Sequence, residues 1–422
     1  MNFRWFISST VRGASHMHKH VWKLLNAQRD ILSADAIRNV QKAMDELDAA
    51  MHSDSDKAAL KARMEALEVA ANKWLKPYPN AGFRENVEVL LVAIAVAMGI
   101  RTFVAQPFKI PTGSMQPTLY GVTSSPDYSK EQVATFDPAL GPEFEIPGNW
   151  ITRKWLYWYR GIGFDHVVAK TDGTLDQNTL DVPKRFLLFN LYQDFFIGGQ
   201  RHRVWFPPDK LLHRAGLMSR GSLRPHTFKT GEDVIRLKSI SGDHLFVDRI
   251  TYNFRSPKRG EIIVFDTSGI AGMPSEQQGQ YYIKRLVALG DERVRILNDR
   301  HLLIDGTNRL DSTTPHFEKV YSFKPEQPAM DSVFSGHLNE VMAQKFLPPP
   351  LAHLAPNFPD ETVEFQVPHG HYIVMGDNTM SSYDSRGWGS FPQENVIGCS
   401  WFVYWPIGRQ EGREKRFGTG NR

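Results

Sequence analysis

The stretch Pro111-Thr112-Gly113-Ser114-Met115-Gln116-Pro117-Thr118-Leu119 holds a serine between small and rigid neighbours, just after an apolar segment running from about Asn86 to Ala105. A serine hydroxyl attacks a carbonyl only once a base removes its proton; without one, Ser114 is an ordinary turn residue. The candidate bases are a histidine or a neutral lysine. His369 and His371 are available in principle for a Ser-His-Asp arrangement, yet none of the 15 histidines lies in a motif of such enzymes. Lys284 sits in the apolar, strand-like run Tyr281-Tyr282-Ile283-Lys284-Arg285-Leu286-Val287, an awkward place for a lysine unless it lies on an edge strand. To act as a base it needs burial to lower its pKa from about 10.4; a fall of about three units corresponds to roughly 4 kcal/mol, which apolar surroundings supply. Arginine stays protonated and could not replace it. A third segment, Gly376-Asp377-Asn378-Thr379-Met380-Ser381-Ser382-Tyr383-Asp384-Ser385-Arg386, is a plain polar loop or a source of a hydroxyl and ion pairs that orient a lysine amine.

Several kinds of element must position these groups. Val40, Met44, Leu47 and Met51 recur at helical spacing, as do Leu60, Met64, Leu67, Ala71 and Trp74. The break Ser53-Asp54-Ser55-Asp56, with an N-cap before Lys57, predicts a helical hairpin ending near Pro77-Tyr78-Pro79. It is either a partner-binding or a self-packing accessory. The segment 86–105 has the length of a membrane span, with Glu88 and Arg101 near its ends; only Val89 to Ile100 is free of charge, a length that also suits a core helix. Lys73, Lys76 and Arg84 before it place the N-terminus in the cytoplasm, with Lys109 close behind on the other side.

Beyond Leu119 the pattern turns to short β-branched and aromatic runs with turn pairs. Asp305-Gly306 after Leu302-Leu303-Ile304 predicts a type I′ hairpin turn. Two stretches, 122–241 and 313–364, fit this β pattern poorly and read as insertions; the second carries Pro348-Pro349-Pro350. In the first, Trp150, Trp155, Tyr157, Trp158 and Tyr159 lie among Arg153, Lys154 and Arg160, which suits either a membrane interface or an aromatic core.

Composition narrows the rest. The chain has 422 residues, 41% hydrophobic and 23% charged, enough for two or three units. A net charge of +4 without a basic, aromatic-interleaved patch speaks against nucleic acid as a partner. One cysteine, Cys399, excludes an internal disulfide and reads as a buried thiol. Met1 to Thr10 is too short an apolar stretch for a cleavable signal peptide, and Arg12, Lys19 and Lys23 follow it.

Taken together the segments resemble the bacterial type I signal peptidases, or leader peptidases, which are membrane-anchored Ser/Lys endopeptidases. Gln106 to Leu119, Gly242 to Val247 with Arg259 to Phe265, Tyr282 to Val294, and Gly376 to Gly389 match in order and with their connecting strands cover about half the chain. The resemblance implies a mostly β fold with an antiparallel β-sheet catalytic domain, here at 106–410; the residue pattern adds a helical hairpin within a helical region at 1–85 and one transmembrane helix at 86–105 before it, and a basic tail at 411–422 after it. It implies Ser114 as nucleophile, Lys284 as general base, Ser382 orienting the lysine, and Thr112 with the Ser114 N–H as the oxyanion hole. Asp377, Asp384, Arg285 and Arg386 match supporting positions. Phe108, Ile110, Pro111, Met115, Leu119 and Tyr282 match the walls of shallow pockets for small side chains. The implied substrates are signal peptides of exported preproteins, cut after Ala-x-Ala-type sequences without metal or other cofactor. The bilayer and the export machinery are the other implied partners, in a bacterial cytoplasmic membrane with the catalytic domain outside.

Three departures stand out: Leu289-Gly290-Asp291-Glu292 replaces the usual Leu-Pro-Gly-Asp turn, the first insertion is about 120 residues long, and helices replace a second span. The turn is expected to change local geometry rather than activity. The competing readings are a self-cleaving Ser/Lys protease of repressor type and a membrane-anchored β scaffold without catalysis.

Overall fold

The computed structural model describes residues 8–53, 56–76, 81–125, 144–176, 178–186, 189–219, 222–223, 226–324, 335–347 and 352–419. Pro77-Tyr78-Pro79, Pro348-Pro349-Pro350, Asp54-Ser55 and most of Met1 to Thr10 lie outside the described residues. The chain divides into two compact units, Met1–Ala95 and Val96–Arg422.

The first unit holds α1 (Ser9–Ala27), α2 (Ala34–His52) and α3 (Lys57–Trp74), with α4 (Ala81–Phe103) running into the second. Ser8, Ser33 and Asp56 cap α1 to α3, accepting from the N–H groups of Val11, Ala36 and Lys57. The Asp56 cap is the one expected before Lys57. The predicted hairpin, α2 and α3, buries Val40, Met44, Leu47, Leu60 and Leu67 together. A further helix, α1, joins it through Val11, Ala14, Val21 and Leu25. Its apolar positions are spread among His16, His18, Lys19 and His20, which hides the stripe in the sequence.

Helix α4 is long and apolar enough to cross a membrane, with a mean hydropathy of 1.7 over Gly82–Phe103 and none of that stretch buried. Its limits differ from the expected 86–105. It begins at Ala81, and Ala105 is already in a strand. The sheet captures the chain there: Arg249 N–H donates to Val104 C=O at 3.0 Å, Ala105 pairs with Asp248, and Pro107 could not continue a helix.

The second unit is built on a seven-stranded antiparallel sheet, as the mostly β reading implies. Its strands are β1 (Ala105–Lys109), β2 (His244–Asp248), β3 (Ile262–Asp266), β4 (Tyr281–Ala288), β5 (His371–Met375), β6 (Phe391–Pro392) and β7 (Val396–Trp405), in the order β1-β2-β7-β3-β4-β5-β6. β3 is buried along four successive residues, Ile262 to Phe265, as a central strand covered on both faces must be. Cys399, on β7, is buried.

The insertions fold as well. Within 122–241, Asp233–Ile240 lies between Thr123–Ser125 and Ile162–Val168, a second sheet joins Lys184–Phe186, Phe189–Ile197 and Gln200–Trp205, and a short helix α5 spans Trp150–Trp155. Trp150, Trp155 and Trp158 are exposed, so they are not an aromatic core. The second insertion closes over a small sheet in which Asp305 and Gly306 both take positive φ, 50° and 70°, and Thr307 N–H donates to Ile304 C=O at 3.2 Å. That is the φ signature of the expected type I′ turn.

The segment read as a basic tail is folded in. Arg413 and Arg416 are buried, and Val403 N–H donates to Thr419 C=O, so the described residues 411–419 pack against the sheet instead of trailing from it. The cause is Asp243, whose buried carboxylate needs the cation that Arg416 provides.

Candidate active site

The Ser114 loop is held at both ends by one residue. Ile110 N–H donates to the Asp243 carbonyl at 2.9 Å, Asp243 N–H to Tyr120 C=O at 2.8 Å, and Tyr120 N–H to Asp243 Oδ2 at 2.8 Å. Arg416 completes the clasp, with Nη2 2.9 Å from Asp243 Oδ2 and a second bond to Thr118 C=O. Gly121 is required where the loop closes, since a Cβ there would stand 2.2 Å from the Thr112 carbonyl. Beneath the loop, Ile110, Met115 and Leu119 pack with Leu245, Val247, Ile262, Val264 and Val403, while Phe108 packs against them from a partly buried position. Pro111 is exposed.

Ser114 is 6% exposed and Lys284, on β4, 5%. Lys284 Nζ lies 2.8 Å from Ser114 Oγ and 3.1 Å from the Ile283 carbonyl. Desolvation pushes the Lys284 amine down to about 8; the Asp384 and Asp377 carboxylates oppose that shift and the Arg386 guanidinium adds to it. Thr112 Oγ1 is 3.5 Å from Ser114 Oγ, on the same small patch.

The 376–386 segment packs against this pair. Asn378 N–H donates to Ser114 C=O at 3.1 Å, and Asn378 Nδ2 to Gly113 C=O at 3.0 Å. Two buried ion pairs close beside it. Arg285 grips Asp377 through Nε and Nη2 at 2.7 and 2.6 Å, and donates from Nη1 to Gly260 C=O at 2.7 Å. Arg386 grips Asp384 at 2.9 and 2.8 Å and also reaches Thr379 C=O at 2.9 Å. Burial would raise the Asp384 carboxyl, but Arg386 and the Gly376 N–H hold it below its ordinary value. Thr118 Oγ1 donates to Asp377 Oδ2 at 2.5 Å, tying the serine loop to the same network.

The structure therefore brings together Ser114, Lys284, Thr112, Arg285, Asp377, Asp384 and Arg386. Ser382 departs from its expected contact. Its Oγ is buried but makes no hydrogen bond to Lys284; it lies against Gly376, where a Cβ would stand 2.2 Å from it. Glycine at 376 is what lets Ser382 come this close. Tyr282 belongs to a neighbouring cluster with Phe265 and Trp388, its ring 5.5 Å from Lys284 Nζ. Neither histidine alternative reaches the serine: His369 pairs with Asp291 at 2.8 Å and His371 with Ser390 at 3.1 Å.

Sequence reasoning missed Asn378, Thr118, Asp243 and Arg416. Asn378 lies within the polar 376–386 segment, but its partners are main-chain carbonyls, which carry no sequence signal. Arg416 had no local signal at all. The Leu289–Glu292 turn is closed by its own acid: Glu292 N–H donates to Leu289 C=O at 3.3 Å, and the Glu292 carboxylate accepts from Leu289 N–H at 2.7 Å while pairing with Arg259 at 2.5 Å. Asp291 takes positive φ, 70°, where the more usual turn would have glycine.

A family model described as signal peptidase, peptidase S26, matches residues 83–137 and 237–405, more than half of the chain. The chain belongs to that family. Signal peptidase I of Leptolyngbya laminosa is 28% identical over 167 residues, 40% of this chain and 62% of that protein. The probable signal peptidase I-1 of Synechocystis sp. is 29% identical over 168 residues, 40% and 65%, and signal peptidase I of Pseudomonas fluorescens is 29% identical over 199 residues, 44% and 63%. The chain thus spans somewhat under two thirds of the length of these curated relatives. A signal peptidase I crystal structure from Enterococcus faecalis V583 is 26% identical, covering 34% of this chain and 97% of that one, with a TM-score of 0.21.

Proposed function

We propose that this protein is a membrane-bound serine endopeptidase that removes signal peptides from exported preproteins. The observation that carries the reading is the 2.8 Å approach of a buried, charge-disfavoured lysine amine to a buried serine hydroxyl. Neutral Lys284 takes the Ser114 proton as Oγ attacks the carbonyl carbon before the cut. The oxyanion that forms is held by the Ser114 N–H and the Thr112 hydroxyl. The Lys284 ammonium then gives its proton to the leaving amine, and the acyl group stays on Ser114 Oγ. A water molecule, deprotonated by Lys284, releases it.

Asn378 and the Asp243–Arg416 clasp hold the loop so that attack costs little reorganisation. The two arginine–carboxylate pairs keep the surroundings of the Lys284 amine nearly neutral. Phe108, Ile110, Pro111, Met115, Leu119 and Tyr282 shape the recesses for alanine-sized side chains. The substrate adds as a strand, so main-chain hydrogen bonds set register and recess size sets specificity. Helix α4 is the membrane span, with the N-terminus in the bacterial cytoplasm and the sheet outside. The helices α1 to α3 are then placed to meet the export machinery.

The test is cleavage of a preprotein bearing Ala-x-Ala before its junction by the detergent-solubilised full chain. Wild type should cut after the second alanine, and Ser114→Ala and Lys284→Ala should each be inert. Cleavage surviving either substitution removes the dyad.

A further inference from the structure

The first insertion encloses a cavity of about 230 Å³ beside the end of β1. Trp150, Tyr157, Trp205 and Phe206 wall it. Lys109, Arg153 and Lys154 bring positive charge to it, and Asp165 brings the negative charge. Phe206 sits at φ 55°, a backbone state that a bulky residue adopts only when its surroundings impose it.

The charges are unevenly satisfied. Lys109 is neutralised by Asp209 at 3.0 Å, and Lys154 lies 5.3 Å from the Phe206 ring centre. Among the described residues the Arg153 guanidinium makes no ion pair, and the Asp165 carboxylate makes neither a hydrogen bond nor an ion pair, although the Asp165 main chain is paired with Leu237 in the sheet. Burial pushes the Asp165 carboxyl up to about 7, and no cation offsets that. An unpaired carboxylate facing a cavity lined by aromatic rings costs free energy as it stands, and is suited to an ammonium group. The free guanidinium and the ammonium of Lys154 at the same cavity suit a phosphate.

We propose that this cavity binds a zwitterionic aminoalkyl phosphate of the phosphoethanolamine type, with the ammonium against Asp165 and the rings and the phosphate on Arg153 and Lys154. The group is either a lipid headgroup or a soluble phosphodiester. The surroundings favour the lipid. Trp150 and Trp205 are 64% and 56% exposed, as are Ile151 and Trp155 beside them on α5 at 58% and 50%. Aromatic and apolar side chains around a charged recess suit the headgroup layer. Lys109 follows the end of α4 by only six residues, a reach of about 20 Å in extended chain. The site stands apart from the Ser114–Lys284 reading; only the choice of a lipid source rests on α4 as a span.

The experiment titrates the full chain in detergent with glycerophosphoethanolamine, ethanolamine and inorganic phosphate, following tryptophan fluorescence and heat. The intact zwitterion should bind roughly tenfold more tightly than either half, as expected when one charge-assisted contact is gained. Asp165→Asn should weaken glycerophosphoethanolamine roughly tenfold and leave phosphate unchanged, while Arg153→Gln, on the surface of α5, should weaken phosphate and spare ethanolamine. Preprotein cleavage in detergent should be unaltered in both variants, so a failed site and a failed enzyme read differently. If Asp165→Asn does not fold, Arg153→Gln decides alone. Displacement of the soluble ligand by vesicles of phosphatidylethanolamine and phosphatidylglycerol, but not of phosphatidylglycerol only, supports the lipid source; no displacement by either supports the soluble one. Phosphate binding as tightly as the zwitterion, with Asp165→Asn silent, overturns the proposal in favour of a basic patch. Preference for a lysine-bearing peptide over glycerophosphoethanolamine overturns it too.

Discussion

Lys284 in the main sheet and Asp165 in the inserted one are both displaced by burial, the amine down to about 8 and the carboxyl up to about 7. Their neighbourhoods differ. Beside Lys284 the strong charges are already closed into pairs, Arg285 with Asp377 and Arg386 with Asp384, so their fields on the amine largely cancel and desolvation prevails. The amine keeps one reactive partner, the Ser114 hydroxyl. At Asp165 the nearby cations are occupied elsewhere or face the cavity, and none pairs with it. Burial makes a lysine into a base only when its neighbours neutralise one another; burial of an acid without such arrangement leaves a group that an incoming cation would satisfy.

That contrast can be broken first at a closed pair. Arg416→Met leaves the Asp243 carboxylate buried without its cation and should destabilise the protein by about 3 to 5 kcal/mol, read from urea unfolding. Little change would mean that the clasp on the Ser114 loop is unimportant. Thr112→Val, which removes one hydroxyl and little volume, should lower kcat by about 10²- to 10³-fold with KM nearly unchanged. Equal losses in binding and turnover would point to a packing role instead.

Lys284→Met tests the cost of the dyad. The folded pKa lies below the unfolded 10.5, so the penalty for burying the charge is present in full below about 8 and fades as pH rises from 8 to 10.5. The inactive variant should therefore be more stable than wild type at pH 7 by up to about 3 kcal/mol, and lose that advantage by pH 10.5. Asp165 gives a pH-dependent effect of the opposite sign. Its folded pKa is raised from 3.8, so its contribution to stability is best below 3.8 and declines as pH rises toward 7. Asp165→Asn should flatten that slope and leave the pH 3.5 stability unchanged.

The parts legible in the sequence were those written in short segments. The Ser114 nonapeptide, the lysine in an apolar strand and the polar 376–386 loop each carry their chemistry within about ten residues, and the β alternation and turn pairs gave the sheet. What could not be read depends on contacts far apart in the chain. Arg416 serves a carboxylate at Asp243 and a carbonyl at Thr118, so nothing near it announces a buried residue. Helix α1 was obscured by interspersed histidines. Asp165 sits in the short strand Ile162–Val168, and its surroundings come from segments far along the chain such as Lys109, Trp205 and Ser239.

The central claim is that neutral Lys284 is the base for Ser114, and the pH dependence of kcat/KM for preprotein cleavage tests it most directly. Activity should rise with pH through a single group titrating near 8, and the profile should be the same in His369→Ala and His371→Ala. A midpoint near 6.5 that either histidine substitution abolishes would contradict the account.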